Sequence, residues 1–250
     1  MAVLLLCGVV SMQAAITYRM TITTTSRPPH PPSIQQIITD GEKRRLTIEN
    51  AEAPFIYDVL LSPDGGRTIT ALNTPLKTWF DKEAFDAKHP HYTGLPPGIK
   101  TQIKDAKISI SEEPTDEPVE GFPVRKFVVR ASYNTQEDFN GTIVKRVHAI
   151  TTLLWTTDKL DRSLAFGMPP LDTGVASLDT ELRQKAAAFG FPLRRVTTVS
   201  RAYEGGEPVV EITRIEIGKI ETVASPPASV FARPSAYANQ APVIGAFGKM

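Results

Sequence analysis

"FIYDVLLSPDGGRTITALN", residues 55–73, is the stretch whose reading decides the fold. Residues 55–61 are apolar except for Asp58. "SPDGG" then sets proline, aspartate and two glycines where a chain reversal is easiest. Arg67–Asn73 returns as a threonine-rich run, the composition of a strand. Two short strands about a tight turn predict an antiparallel hairpin and not a β-α-β unit.

The neighbouring segments extend the pattern in both directions. "IQQIITDGEKRRLTIEN" (34–50) reads as two strands around Asp40-Gly41, a strong hairpin signal. "AITYRMTITTTS" (15–26) alternates Ile16, Tyr18, Met20 and Ile22 with threonine and arginine, the period of a half-buried strand. "RPPHPPS" breaks it, because proline cannot donate to a ladder. Downstream, "LKTWFD" (76–81) adds a further strand, so residues 34–81 spell at least four consecutive antiparallel strands.

The segment from 83 to 107 shows no clean period and carries several prolines and glycines; it reads as an inserted loop. The acidic, proline-rich segment 112–121 reads as a second insertion, with "AKISIS" (106–111) as a strand between them. "VRKFVVRASY" (124–133) and the unusually long "GTIVKRVHAITTLLWTTD" (141–158) are strand-like, and strands of that length bend or bulge. One helix is clear in "SLDTELRQKAAAFG" (177–190). Leu178, Leu182, Ala186 and Phe189 recur at helical spacing, Ser177 caps the start, and Gly190 followed by Pro192 supplies a left-handed stop. "DKLDRSLAFG" (158–167) predicts a shorter helix. "PLRRVTTVSRAY" and "VVEITRIEIGKIE" form a closing hairpin about "EGGEP", and residues 238–250 read as a flexible tail. The fold class is therefore mainly β (α+β): a curved antiparallel sheet with one or two helices against it, in a single domain over 16–237.

Composition excludes several classes. With 28 basic and 27 acidic residues among 250, the chain has no electrostatic footprint for nucleic acid. The run "AVLLLCGVV" followed by "SMQAA" has the apolar and small-residue regions of a signal peptide over residues 1–15, without the usual leading cation. Cleavage is expected after Ala14 or Ala15; the competing reading is a buried N-terminal strand. Cys7 is the one cysteine, so removal of the signal leaves no disulfide. No later segment approaches the ~20 apolar residues of a membrane span.

The sequence holds no nucleophile elbow, phosphate loop or dinucleotide glycine motif, and no cofactor is expected. Of the four histidines, His89 and His91 form an H-x-H pair in a proline-containing loop; two ligands without a third do not make a metal site, and no metal is expected. His30 lies in a proline-rich break. His148 sits mid-strand and would need a nucleophile and an orienting carboxylate to act in catalysis. The acidic run Glu112, Glu113, Asp116, Glu117 and Glu120 lacks the ligand spacing of a calcium loop and reads as solvated. Asp158 reads equally as an acid or as a helix cap.

Strand parity supplies candidate ligand contacts. Phe55, Tyr57, Val59 and Leu61 share one face of the opening strand. In the long strand, Val147, Ala149, Thr151, Leu153 and Trp155 oppose Arg146, His148, Ile150, Thr152 and Leu154. A sheet covered on one side and hollow on the other would be lined by Tyr57, Val59, Leu61, Phe127, Val129, Leu153 and Trp155. A sheet filled by its own side chains fits the same periodicity.

"YDVLLSPDGGRTITALNTPLKTWFD", "TTLLWTTDK", the helix with "FGFPLRRVTT", and "VFARPSAY" together resemble secreted bacterial proteins of unknown function. These are similar in pattern to the lipoprotein-carrier (LolA/LolB-like) superfamily, over roughly residues 16–237. The resemblance implies a half-barrel of antiparallel strands with helices on its concave side and an apolar hollow that holds acyl chains. It implies an exported, non-enzymatic protein of the bacterial envelope, periplasmic or extracellular, with a lipid or acyl chain as its partner. The alternatives are an envelope scaffold or protein-interaction module with a solid core, whose contact surface would be the two inserted segments, and a hydrolase using His89 or His148.

Overall fold

The computed structural model describes residues 15–25, 31–50, 56–64, 67–88, 100–139, 141–186, 188–224 and 226–242. Residues 1–14 of the expected signal peptide, with Cys7, and His30, His89, His91 and Phe55 lie outside these residues; its last residue, Ala15, opens the first strand.

The chain forms one open twelve-stranded sheet. The strands are β1 (Ala15–Thr24), β2 (Ser33–Thr39), β3 (Arg44–Ile48), β4 (Val59–Ser62), β5 (Thr70–Asn73), β6 (Thr78–Asp81), β7 (Lys100–Glu113), β8 (Arg125–Phe139), β9 (Thr142–Thr157), β10 (Phe191–Tyr203), β11 (Val209–Val223) and β12 (Ala238–Asn239). Their spatial order is β12-β6-β5-β4-β3-β2-β1-β11-β10-β9-β8-β7. Two meanders, β1–β6 and β7–β11, are thus joined where β1 pairs antiparallel with β11. Every pairing is antiparallel except the parallel one between β12 and β6.

The opening stretch behaves as its pattern dictates. Val59–Leu61 pair with Thr70–Leu72 across the turn. Asp64 accepts the Thr68 amide at 2.9 Å, holding the returning chain. Asp58 does the same one connection on, accepting the Thr74 amide at 2.8 Å and the Thr74 hydroxyl. At the β2–β3 turn, Gly41 takes φ of 91°, as the Asp-Gly signal requires.

An open sheet this wide must curl, because twist accumulates over many strands. Bulges fall in β11 between Gly218 and Glu221, opposite Thr17 and Arg19 of β1, in β7 between Lys104 and Lys107, and in β10 between Pro192 and Arg194. Each adds a residue on one strand and sharpens the local twist. β7 is an edge strand; its bulge and its lysines at 104 and 107 discourage further pairing.

Several segments differ from the sequence expectation. Residues 100–107, read as inserted loop, form half of β7, and α1 (Lys82–Lys88) occupies the start of the same segment. Asp81 caps α1 by accepting the Ala84 amide at 2.7 Å, and Phe85 packs on Phe80 with ring centroids 4.9 Å apart. Strands at a sheet edge, exposed along most of their length, need no apolar alternation; that is why β7 was illegible. The expected second helix is only a 3₁₀ turn over Arg162–Leu164, capped by Asp161. Ala238 and Asn239, expected in the tail, extend the sheet.

α2 (Ala176–Ala186) lies on the face of the sheet bearing Phe127, Val129, Ala131, Ile150 and Leu154. Its stripe is as predicted: Leu178, Leu182 and Phe189 are buried. Its ends are not. The helix begins at Ala176, so Ser177 is already inside it. The buried Asp179 instead accepts the Thr173 amide at 2.6 Å and the Thr173 hydroxyl at 2.8 Å, and that hydroxyl accepts the Val175 amide at 3.2 Å. Gly190 has no positive φ and is no left-handed stop. Glycine is needed there for a close approach: a Cβ would stand 2.5 Å from the Thr157 carbonyl oxygen. Gly190→Ala is expected to lower stability by about 2 kcal/mol, read as a fall in denaturant midpoint at constant slope.

The same side of the sheet carries a larger core from β1–β6, β10 and β11, centred on Tyr18, Met20, Ile37, Leu46, Phe80 and Ile215. On the opposite side, Val59, Leu61 and Leu72 form a separate buried cluster with Trp79 and Tyr237. The C-terminal chain covers it: Arg233 stacks 3.8 Å over Trp79, and Arg45 donates to the Val230 carbonyl at 3.1 Å. No helix among the described residues is long and apolar enough to cross a membrane.

Candidate functional site

Leu154 of β9 and Arg195 of β10 are cross-strand partners on the helix-bearing face. Between them and the end of α2, the sheet is not covered by regular structure. Residues 162–171 cross it as a strap. The strap is fastened at its start by Tyr18, which rises from β1. The Tyr18 hydroxyl donates toward the Leu164 and Phe166 carbonyls at 3.2 and 3.3 Å and accepts the Phe166 amide at 2.8 Å. Burial pushes this phenol well above its ordinary value of 10.0, against the opposing pull of the Phe166 amide and of Arg44. Arg44 donates to the Ser163 carbonyl at 3.0 Å and lies 5.7 Å over the Phe166 ring. Gly167, at φ of 75°, turns the strap where a Cβ would meet the Leu46 side chain.

Beyond Gly167, Pro169 and Pro170 hold the strap extended, because proline fixes φ and removes a donor. Their carbonyls face Arg195, whose Nη1 donates to them at 2.8 and 3.4 Å. The strap stands off the sheet here and borders an open-mouthed pocket of about 320 Å³. Leu154, Pro192 and Arg195 line it from the sheet, residues 165–171 from the strap, and Ala186, Phe189 and Gly190 from the end of α2. Arg162 closes the rim and donates to the Ala186 carbonyl. The lining is largely apolar, and its two charged residues, Arg162 and Arg195, are both cations.

Arg195 is 6% exposed. Burial holds its guanidinium below the usual arginine range, with Asp172 opposing. Asp172 in turn is raised by burial and by Asp179, with Arg195 opposing. Among the described residues, Arg195 Nε is buried without a hydrogen-bond partner.

None of the seven candidate contacts lines this cavity. Val59 and Leu61 fill the cluster on the opposite side. Tyr57 packs into the large core and meets Phe80 edge-on at 6.5 Å. The chain turns at Asp58, which accepts the Thr74 amide and hydroxyl, so Tyr57 and Val59 part company despite their shared parity. Phe127 and Val129 pack beneath α2 in the cluster that also holds Leu154 and Phe189. Leu153 and Trp155 have the other parity from Leu154; Trp155 is flanked by Lys126 and Arg194 at 5.7 and 5.5 Å. Leu154 belonged to the rejected face of β9, and Arg195 and the strap gave no sign beyond "RR" in a strand, where period two sends one arginine inward.

His148 lies farther along the same face. Its ring stacks on Tyr133 at 4.6 Å, and its Nε2 is 3.1 Å from the Thr135 hydroxyl. Burial first, then Arg201 and Arg146, lowers its pKa below the histidine value, with Glu137 opposing, so the ring is neutral at pH 7. Among the described residues no carboxylate is hydrogen-bonded to it; Glu137 is committed to Arg146 at 2.7 Å. A base without an orienting acid is a poor start for nucleophilic catalysis.

Three carboxylates of the acidic run lie against cations. Glu112 pairs with Arg125 at 2.7 Å, Glu113 with Lys126 at 2.8 Å, and Glu117 approaches Arg194 at 3.7 Å. Glu120 Oε2 accepts the Lys219 amide at 3.3 Å. Asp158 caps no helix; it lies 3.7 Å from Arg125.

No protein-family model and no curated protein matches the chain.

Proposed function

We propose that the protein is a non-enzymatic binder of an apolar or amphipathic, lipid-like ligand, exported to the bacterial envelope. The observation that carries the binding reading is the strapped cavity: its volume is at the low end of small-molecule pockets and its lining is mostly hydrocarbon. Burying six methylenes there would contribute about 5 kcal/mol before the cost of immobilising the chain. Export is supported by the apolar run and small residues at the start of the sequence. The architecture, an antiparallel sheet covered on one side by a helix and a strap, is consistent with the carrier resemblance.

The test uses the neutral fluorophore N-phenyl-1-naphthylamine. Wild-type protein is expected to bind it saturably. Ala186→Trp, which puts an indole into the cavity from a half-buried helix end, should weaken binding at least tenfold with the circular dichroism spectrum unchanged. Absence of saturable binding, or equal binding by the variant, defeats the reading.

A second reading, a protein-interaction module, is favoured by one observation: Ile143, Val147, Tyr203, Val209 and Val210 are exposed apolar residues near the tips of the β8–β9 and β10–β11 hairpins. A stable protein complex formed by a chain that binds no apolar probe would support it.

A further inference from the structure

We propose that the ligand of the strapped cavity carries a single carboxylate and that Arg195 is its anchor. The inference deepens the ligand-binding reading and rests on it.

Three observations point the same way. First, the cavity has no acidic residue in its lining, whereas Arg195 and Arg162 both reach it. The site is therefore apolar and cationic, a match for a hydrocarbon chain ending in an anion. Second, Arg195 is buried as a residue and has no ion-pair partner among the described residues. Asp172 acts on it through space without closing a salt bridge. A buried cation without a paired anion is costly, and the protein retains one at this cavity. Third, its hydrogen bonding is incomplete. Nη1 is taken by the Pro169 and Pro170 carbonyls, while Nε, itself shut off from solvent, has no partner among the described residues. A guanidinium offers a planar fork, and a carboxylate is the group whose two oxygens fit it.

The neighbouring arginine of the same strand shows what an answered charge looks like. Arg194 points to the other side, between Glu216 and Glu117, each at 3.7 Å. Arg195 is opposed by Leu154 and Ile215 in the ladder and faces the cavity. Arg162 is the lesser candidate: it is exposed at the rim, where water screens it.

The reading inverts an ordinary preference. In an uncharged apolar cavity a ten-carbon alcohol binds better than the corresponding carboxylate, because the anion loses its hydration. With Arg195 as anchor the carboxylate wins. The experiment titrates the full chain at pH 8 with sodium decanoate and with 1-decanol, by calorimetry or by displacement of N-phenyl-1-naphthylamine. Wild-type protein is expected to bind decanoate at least tenfold tighter than decanol. Arg195→Gln should reverse the order, and Arg162→Gln should preserve the wild-type order. Should Arg195→Gln fail to fold, the wild-type comparison and Arg195→Lys, which keeps the charge but not the fork and should narrow the preference for decanoate without reversing it, still decide.

Binding of both compounds with decanol the tighter overturns the anchor and leaves the carrier reading standing. Loss of the preference in Arg162→Gln but not in Arg195→Gln overturns the assignment to Arg195. Binding of neither compound removes the carrier reading and the anchor with it.

Discussion

Leu182→Ala is expected to destabilise the folded protein by about 3 kcal/mol and to lower Tm by roughly 8 °C. Leu182 is 1% exposed and is the residue by which α2 is seated among Phe127, Val129, Leu154 and Phe189. Truncation removes the transfer energy of its methyl and methylene groups and leaves a void. The surroundings cannot collapse easily to fill it. The sheet below is fixed by the ladders of β8 and β9, and Phe127 is already packed on Phe189 at 4.5 Å. Leu154 and Phe189 also line the strapped cavity, so the new void lies beside it. The functional consequence is separable: added decanol should recover part of the lost Tm, because a ligand bound only to the folded state stabilises it. Leu182→Met, which conserves volume, should cost less than 1.5 kcal/mol. Thermal unfolding followed by circular dichroism measures both; a shift under 2 °C for the alanine variant would show that α2 contributes little to the folded state.

Tyr18→Phe is expected to cost about 2 kcal/mol, although it removes one oxygen atom and no hydrocarbon. The hydroxyl is the link between β1 and the strap, and without it the Phe166 amide and the Leu164 and Phe166 carbonyls lose their partner. Phe166 is buried and lines the cavity, so its unpaired amide is not rescued by bulk water. The ring itself stays in place, edge-on to Phe191 at 5.6 Å. The same residue makes an alkaline prediction. Its folded pKa is raised far above the unfolded value by burial. Below pH 10 both states hold the proton and nothing changes. Above that, the unfolded chain ionises while the folded one resists, so stability falls as pH rises past about 10. Tyr18→Phe should flatten that fall. Urea midpoints at pH 8 and pH 10.5 measure it; equal slopes in the two proteins would remove Tyr18 from the account.

The hairpins were legible because their signals are local. Asp40-Gly41 and Pro63-Asp64 carry their own turn chemistry and need nothing from the rest of the chain. The α2 stripe was legible for the same reason. Its caps were not: Asp179 acts through Thr173, and Gly190 answers to Thr157 on another strand. The site failed for a related cause. Parity assigns residues to two faces but does not say which is covered by the strap, and Val59, Leu61, Leu153 and Trp155 were placed on the wrong side of that choice relative to the cavity.

By itself the sequence determined the strand-turn-strand rhythm, the antiparallel class, the one amphipathic helix and the near-balance of charge, all set by neighbours a few residues apart. Tertiary structure alone decided that β1 closes the gap between two meanders, that residues 162–171 cross the sheet as a strap with only a single 3₁₀ turn at its start, and that Arg195 ends beneath it. Those outcomes depend on groups far apart in the chain, Tyr18 with Phe166 and Arg195 with Pro169, whose meeting is set by burial and hydrogen-bond satisfaction across the whole sheet and not by any local period.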